Sequence, residues 1–126
     1  MIPALAVVER AHRGGVDVAF AGVLHVLRGV HDRLDGPLGV VLRGAAVTAA
    51  LPGAPVRTTV AGRTAALPDP AADLVALLAA GAGVHAVADD CARHGVDPAA
   101  LVPGVVALPA AALPELFETA RRIWFL

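Results

Sequence analysis

The sequence of 126 residues contains no lysine, serine, asparagine, glutamine or tyrosine, a single cysteine, and only 3% aromatic residues. Without serine there can be no serine-based nucleophilic triad, and one cysteine cannot build a disulfide framework. The net charge of −1 gives no basic excess for a nucleic-acid surface, so no nucleic-acid partner is expected. Much of the 57% apolar content is alanine and valine, which predicts a core of small aliphatic side chains.

A membrane-spanning segment is not expected, although the mean hydropathy is +0.71. A spanning helix needs about 20 consecutive apolar residues. The best uncharged candidate, residues 74–88, is interrupted by Gly81, Gly83 and His85. No basic stretch precedes the first apolar run, and Glu9 and Arg10 follow it at once, which does not fit a secretory signal. We therefore expect one cytoplasmic domain, residues 1–126, with no membrane partner.

Five short apolar runs recur along the chain and predict β-strands. They are continuous and do not alternate with polar residues, as is typical of a parallel sheet that is covered on both faces. The runs are residues 5–8, 38–42, 84–87, 105–108 and 123–126.

Segments with helical periodicity separate these runs. The first predicted helix begins near Asp17 and carries His25, Arg28 and Asp32 on the side opposite its apolar positions. Residues 53–67 predict a long loop with an extended stretch around 57–60. Further helices are predicted at residues 45–51, 71–80, about 89–95 and 110 to about 121. This alternation predicts an α/β fold, with helices on both faces of a parallel sheet.

Ligands of such sheets bind beyond the carboxyl ends of the strands, where two turns carry candidate groups. After the first strand, His12 and Arg13 precede Gly14 and Gly15, a pattern that suits either an anion site or a solvated turn. Arg43 follows the second strand and could bind an anion or form an ion pair with Glu9.

The third strand-end candidate is Cys91. If a helix begins at Asp89, Cys91 lies in its first turn, where the helix dipole favours a thiolate, whereas Asp89 and Asp90 oppose it. A reactive thiol and a buried packing residue both remain open. No recognised ligand spacing joins the histidines and Cys91, so neither a metal nor another cofactor is predicted. A hydrolase using His12 and Asp89 as acid and base has no motif behind it. His31 is interpreted as a subunit contact.

In order and spacing, these segments resemble the DsrE/DsrF-like family of small sulfur-relay proteins, which includes the TusD-type subunits. The polar turn and helix after the first strand, over residues 5–28, contribute to the resemblance. The further segments that carry it are VVLRGAAV at 40–47, GVHAV at 83–87, GV at 95–96, LVPGV at 101–105 and RRIWFL at 121–126.

The resemblance implies a three-layer α/β/α domain with a five-stranded, mostly parallel sheet, assembled as a homo-oligomer, often a trimer or hexamer. Active members carry a persulfide on a cysteine just after the third strand and exchange it with a donor or acceptor protein. That position corresponds to about Val87 or Ala88, and Cys91 lies one helical turn later. We therefore expect either a sulfur relay, with Cys91 as carrier and His12, Arg13, Arg43 and Asp89 around it, or a catalytically silent module that binds a small anion or a partner protein.

Overall fold

The computed structural model describes residues 1–10, 18–53, 57–66 and 69–126. Its strands are β1 (Ala4–Val8), β2 (Leu38–Leu42), β3 (Arg57–Val60), β4 (Arg63–Ala66), β5 (Gly83–Val87), β6 (Val106–Leu108) and β7 (Ile123–Phe125). Its α-helices are α1 (Val18–His31), α2 (Pro70–Ala79), α3 (Ala88–Arg93) and α4 (Leu113–Glu118). Short 3₁₀ helices lie at Gly44–Ala50, Pro98–Ala100 and Ala110–Ala112.

Five of the strands form one sheet in the order β6-β5-β2-β1-β7, and every neighbouring pair is parallel. These are the five apolar runs of the sequence, with bounds that differ by no more than one residue. The central strands β1 and β2 are buried along their whole length, because helices cover both faces of the sheet. The predicted α/β class with a five-stranded parallel sheet is confirmed.

Two clusters of buried side chains lie on opposite faces of the sheet. The larger one joins alternate residues of the strands, such as Val40 and Val84, to α1, α2 and the 3₁₀ helix Gly44–Ala50. The smaller one consists of Leu5, Val7, Val41 and Val87, with α4 packed against it. Since successive strand residues point to opposite faces, one apolar run supplies both clusters.

Helix α2 shows how local sequence sets an element's ends. Its N-cap is Asp69, whose carboxylate accepts a hydrogen bond from the N–H of Ala71 at 3.0 Å, and Pro70 occupies the first helical position. The chain leaves the helix at Gly81, whose φ of +97° suits glycine. The helix predicted at 71–80 is therefore present, shifted by one residue.

Three sequence predictions need correction. The extended stretch predicted around 57–60 is present as β3, but the predicted loop also contains β4, which pairs with β3 as an antiparallel hairpin around Ala61 and Gly62. The segment predicted as a helix at 45–51 is a 3₁₀ helix. The last helix is shorter than 110–121, because Ile2 pairs with the backbone at Thr119 and Arg121 and the chain then turns into β7. The helix start predicted near Asp17 lies outside the described residues.

Candidate functional site

The polar groups predicted at the strand ends follow three strands that finish at the same edge of the sheet, and a fourth strand brings an aromatic ring to that edge. Glu9 follows β1, Arg43 follows β2, Asp89 and Asp90 open α3 directly after β5, and Phe125 ends β7. Because all of these strands are parallel, their carboxyl ends point the same way. We call this group of five residues the carboxyl-edge rim.

Within the rim, Arg43 is already paired. Its Nε donates to Oε1 of Glu9 at 2.7 Å, and its Nη2 donates to the same oxygen. The guanidinium carbon also lies 5.5 Å from the centre of the Phe125 ring, a cation–π distance. Of the two roles left open for Arg43, the ion pair with Glu9 is therefore formed, through the Nε and Nη2 donors of the guanidinium.

The two aspartates of the rim accept hydrogen bonds from backbone N–H groups of neighbouring segments. Oδ2 of Asp90 accepts from the N–H of Gly44 at 2.8 Å, where the backbone turns from β2 with a φ of +58°. Oδ1 of Asp89 accepts from the N–H of Ala110 at 2.8 Å, which joins α3 to the 3₁₀ helix after β6. Both carboxylates thus hold connections between elements, and charge-assisted bonds of this kind are among the stronger ones.

Cys91 faces the interior. Its side chain is 0% exposed and belongs to the larger cluster, together with Ala46 and Val47 of the 3₁₀ helix that follows β2. Burial raises the pKa of the Cys91 thiol, and the nearby Asp90 carboxylate raises it further, while a backbone hydrogen bond partly opposes them. The predicted effect of the helix dipole does not prevail, since the net shift is away from the thiolate.

The place that the family resemblance gives to a sulfur-carrying cysteine also lies at this edge. Val87 is the last residue of β5 and is buried, whereas Ala88 is the first residue of α3 and is partly exposed. Cys91 lies one turn further along α3, and its side chain reaches the core rather than the rim.

Two adjoining depressions open on the rim. One, of about 330 Å³, is lined by Glu9, Arg43, Gly44 and Asp90. The other, of about 370 Å³, is lined by Glu9, Arg10, Val23, Phe125 and Leu126. The first combines two carboxylates with one paired arginine, so its charge is not that of an anion site. The second has a more apolar lining and includes the exposed ring of Phe125.

Two further sequence candidates, His12 and Arg13, lie outside the described residues. His85 is on the face of the sheet that carries Val41, its partner in register, whereas Cys91 joins the cluster of the opposite face.

Within residues 1–10, 18–53, 57–66 and 69–126, no three His, Cys, Asp or Glu side chains are grouped to hold a metal ion. In that part of the chain, no helix has the length and apolar character to cross a bilayer.

His85 carries a polar atom with no partner. Its Nδ1 is buried and makes no hydrogen bond within the described part of the chain. Burial lowers the pKa of His85, which favours the neutral ring.

A second polar group lies away from the rim, between α1 and α2, and sequence reasoning missed its centre. Asp73 of α2 is buried, and its Oδ1 lies 3.1 Å from Nη1 of Arg28 and 3.4 Å from Nδ1 of His25. The prediction that His25 and Arg28 lie on the side of α1 opposite its apolar positions is correct. Both side chains nevertheless reach Asp73 of α2. A lone acidic residue inside the apolar pattern of 71–80 was the available signal. We call these residues, with His31, the α1–α2 seam.

His31 occupies the end of this seam and is bonded within its own chain. Its Nε2 lies 2.9 Å from the carbonyl oxygen of Ala80, and its Nδ1 accepts a hydrogen bond from the N–H of Leu38 at 3.2 Å. Both ring nitrogens thus have intramolecular partners, and the interpretation of His31 as a subunit contact stays a prediction.

Comparison with known proteins identifies the fold. No protein-family model and no curated protein matches the sequence. Among solved structures, the chain is similar to the YchN protein of E. coli, with a TM-score of 0.76, 19% identity and full coverage of both chains. It is also similar to a conserved protein of unknown function from Bacteroides thetaiotaomicron, with a TM-score of 0.63, 16% identity, and coverage of 98% of this chain and 94% of that one. The chain therefore has the fold of YchN, which is the DsrE-like fold that the sequence resemblance implied.

Proposed function

We propose that this protein is a DsrE-like assembly module that forms homo-oligomers and does not carry sulfur on Cys91. The observation that carries the proposal is the position of the Cys91 side chain, fully buried in the larger cluster. A thiol accepts sulfur as its thiolate and must meet the donor, so burial hinders access and the raised pKa lowers the fraction of thiolate.

The character of the rim supports assembly over capture of a small anion. The guanidinium of Arg43 is neutralised by Glu9, and Asp90 adds a second carboxylate to the same depression. Next to them, the ring of Phe125 is 61% exposed and Leu126 is 46% exposed. An exposed aromatic ring beside a paired arginine is typical of protein interfaces, where aromatic and arginine side chains are enriched. The proposed occupant of this surface is a second copy of the chain, as the family resemblance implies.

A persulfide relay through Cys91 is the competing proposal. It is supported by the location of α3 directly after β5, at the edge where parallel sheets place their sites. For the relay to operate, α3 would have to move away from the 3₁₀ helix Gly44–Ala50 and bring the thiol to the surface.

Native and intact mass spectrometry of the same sample test both proposals. The purified protein and a Cys91→Ala variant are incubated with polysulfide, which transfers one sulfane sulfur to a thiolate and forms a persulfide about 32 Da heavier. We expect an unmodified wild-type mass in the folded protein, and an adduct only after denaturation. An adduct on the folded wild type that Cys91→Ala abolishes would show that Cys91 accepts sulfur in the folded protein and overturn the proposed silent thiol.

Native mass spectra report the assembly. We expect a homo-oligomer for the wild type and a shift towards monomer for Phe125→Asp. The matched control is Val26→Asp, which places the same charge on a residue of α1 that is 62% exposed. A monomeric wild type would overturn the assembly proposal, and an oligomer that survives Phe125→Asp but not Val26→Asp would move the interface to α1.

A further inference from the structure

The ring of His31 connects three elements through two backbone partners. His31 is the last residue of α1, Ala80 is the C-cap of α2, and Leu38 is the first residue of β2. The N–H of Leu38 can only donate, so Nδ1 must accept with its lone pair. The ring proton therefore resides on Nε2, which donates to the carbonyl oxygen of Ala80. Two backbone groups thus fix one neutral tautomer.

Both partners need this ring. Leu38 is 0% exposed, and a buried N–H without an acceptor is costly. The carbonyl of Ala80 is at the end of a helix, where carbonyl oxygens have no N–H donor within the helix. His31 therefore supplies a hydrogen-bond partner to the N–H of Leu38 at the start of β2 and to the carbonyl oxygen of Ala80 at the end of α2. Nothing in the rim depends on these bonds, so they are independent of the proposed assembly.

Few charged groups of the described residues lie near the ring of His31. A cavity of about 110 Å³ beside it is lined by Arg28 and Asp32 of α1 and the following turn, together with apolar residues of α2. From α2, the nearest charged group is Asp73, which is engaged by Arg28, and its last turn carries no basic residue. Strand β2 contributes only apolar residues, and Arg33 and Asp35 lie in the exposed turn before it.

These charges and the helix ends act in opposite directions. Arg28 opposes a positive ring, whereas Asp32 and the carbonyl ends of α1 and α2 favour one. Arg28 and Asp32 are both exposed and therefore well screened.

We propose that His31 is a proton-sensitive latch, closed while its ring is neutral and open when Nδ1 is protonated. A proton on Nδ1 takes up the lone pair that accepts the hydrogen bond. Nδ1–H and the N–H of Leu38 are then both donors, so the bond to Leu38 is lost. The bond from Nε2 to Ala80 can remain. Protonation therefore releases the start of β2 from α1, while the end of α2 stays attached to the ring.

His25, six residues earlier on the same helix, has a side-chain partner instead, since its Nδ1 lies 3.4 Å from Oδ1 of the buried Asp73. Only His31 is linked to the backbone of the sheet.

Hydrogen exchange at the Leu38 amide, measured by NMR on the whole protein, tests the latch. The matched control is His31→Asn, whose Oδ1 takes the place of Nδ1 and accepts from Leu38 at every pH. We expect the protection of Leu38 in the wild type, relative to His31→Asn, to fall about tenfold between about pH 7.5 and pH 5. A ratio that stays constant over this range would overturn the proposal.

Imidazole nitrogen shifts of the wild-type protein keep the proposal testable if the variant does not fold. At neutral pH we expect the His31 ring as the Nε2–H tautomer, with Nδ1 unprotonated. A ring protonated on Nδ1 at neutral pH, or one that titrates without changing the Leu38 amide signal, would contradict the latch. In His25→Ala, the pH dependence at Leu38 should remain.

Discussion

The carboxyl-edge rim and the α1–α2 seam differ in how their charges are used. In the rim, the charged residues directly follow strands in the sequence. Each of them forms a local hydrogen bond: Arg43 with Glu9, Asp90 with the N–H of Gly44, and Asp89 with the N–H of Ala110. In the seam, the central carboxylate of Asp73 is buried inside an apolar helix, with Arg28 and His25 reaching it from outside. The comparison teaches that a charge at a strand end is weak evidence for a ligand when neighbouring loops offer unpaired N–H groups.

The largest effect is expected at the rim from Asp90→Ala. This change leaves the N–H of Gly44 without its acceptor at a partly buried position, and we expect a loss of about 2 kcal/mol in the free energy of unfolding. Urea denaturation measures it. The control Asp90→Asn keeps an acceptor oxygen and should lose clearly less. An unchanged denaturation midpoint in Asp90→Ala would show that this carboxylate does not hold the edge.

A smaller effect is expected in the seam from Asp73→Ala. The buried carboxylate is lost, but Arg28 and His25 are 45% and 67% exposed and regain water, so we expect about 1 to 1.5 kcal/mol. A double-mutant cycle with Arg28→Ala measures the coupling, which should be below about 1 kcal/mol. A loss larger than that of Asp90→Ala would reverse the comparison and make the seam the more important polar connection.

The smallest effect is expected for the pair of Arg43 and Glu9. The two side chains are 33% and 46% exposed, so solvent screens their attraction and the coupling in a cycle of Arg43→Met and Glu9→Gln should be about 0.5 kcal/mol. It should shrink further at about 1 M salt, where the screening length is about 3 Å. A coupling that persists at high salt would mean that the pair is more protected than its exposure indicates, for example by an assembled partner over Phe125.

The five strands could be predicted because continuous apolar runs of four or five residues have few other interpretations between helical segments. The start of α2 was equally legible, since Asp69 and Pro70 are strong local signals. The extended stretch around 57–60 was predicted, but its pairing with Arg63–Ala66 was not, because the turn between them places Ala61 at a φ of +52°, a conformation that non-glycine residues seldom adopt. The shortened last helix reflects pairing with Ile2, a contact from the other end of the chain that no local pattern contains.

The site was harder to predict than the fold for a related reason. The position of Cys91 after β5 could be predicted from the sequence. The direction of its side chain could not, because it depends on how α3 packs against the 3₁₀ helix Gly44–Ala50. In the same way, the polar face of α1 was readable, but its meeting with Asp73 depends on the tertiary packing of α1 against α2. Sequence reasoning placed residues at an edge or on a face, and packing decided which of them meet.

The two outer strands of the main sheet, β6 and β7, are only three residues long. A sheet edge presents unpaired N–H and C=O groups to which other chains can add, and long apolar edges favour aggregation. This protein is 57% hydrophobic and has no lysine to place on an edge. The short length of β6 and β7 protects the sheet edges instead, since β6 stops before Pro109 and β7 starts after Arg121 and Arg122. The chain can therefore bury an unusually apolar sheet without offering other molecules a long template for growth.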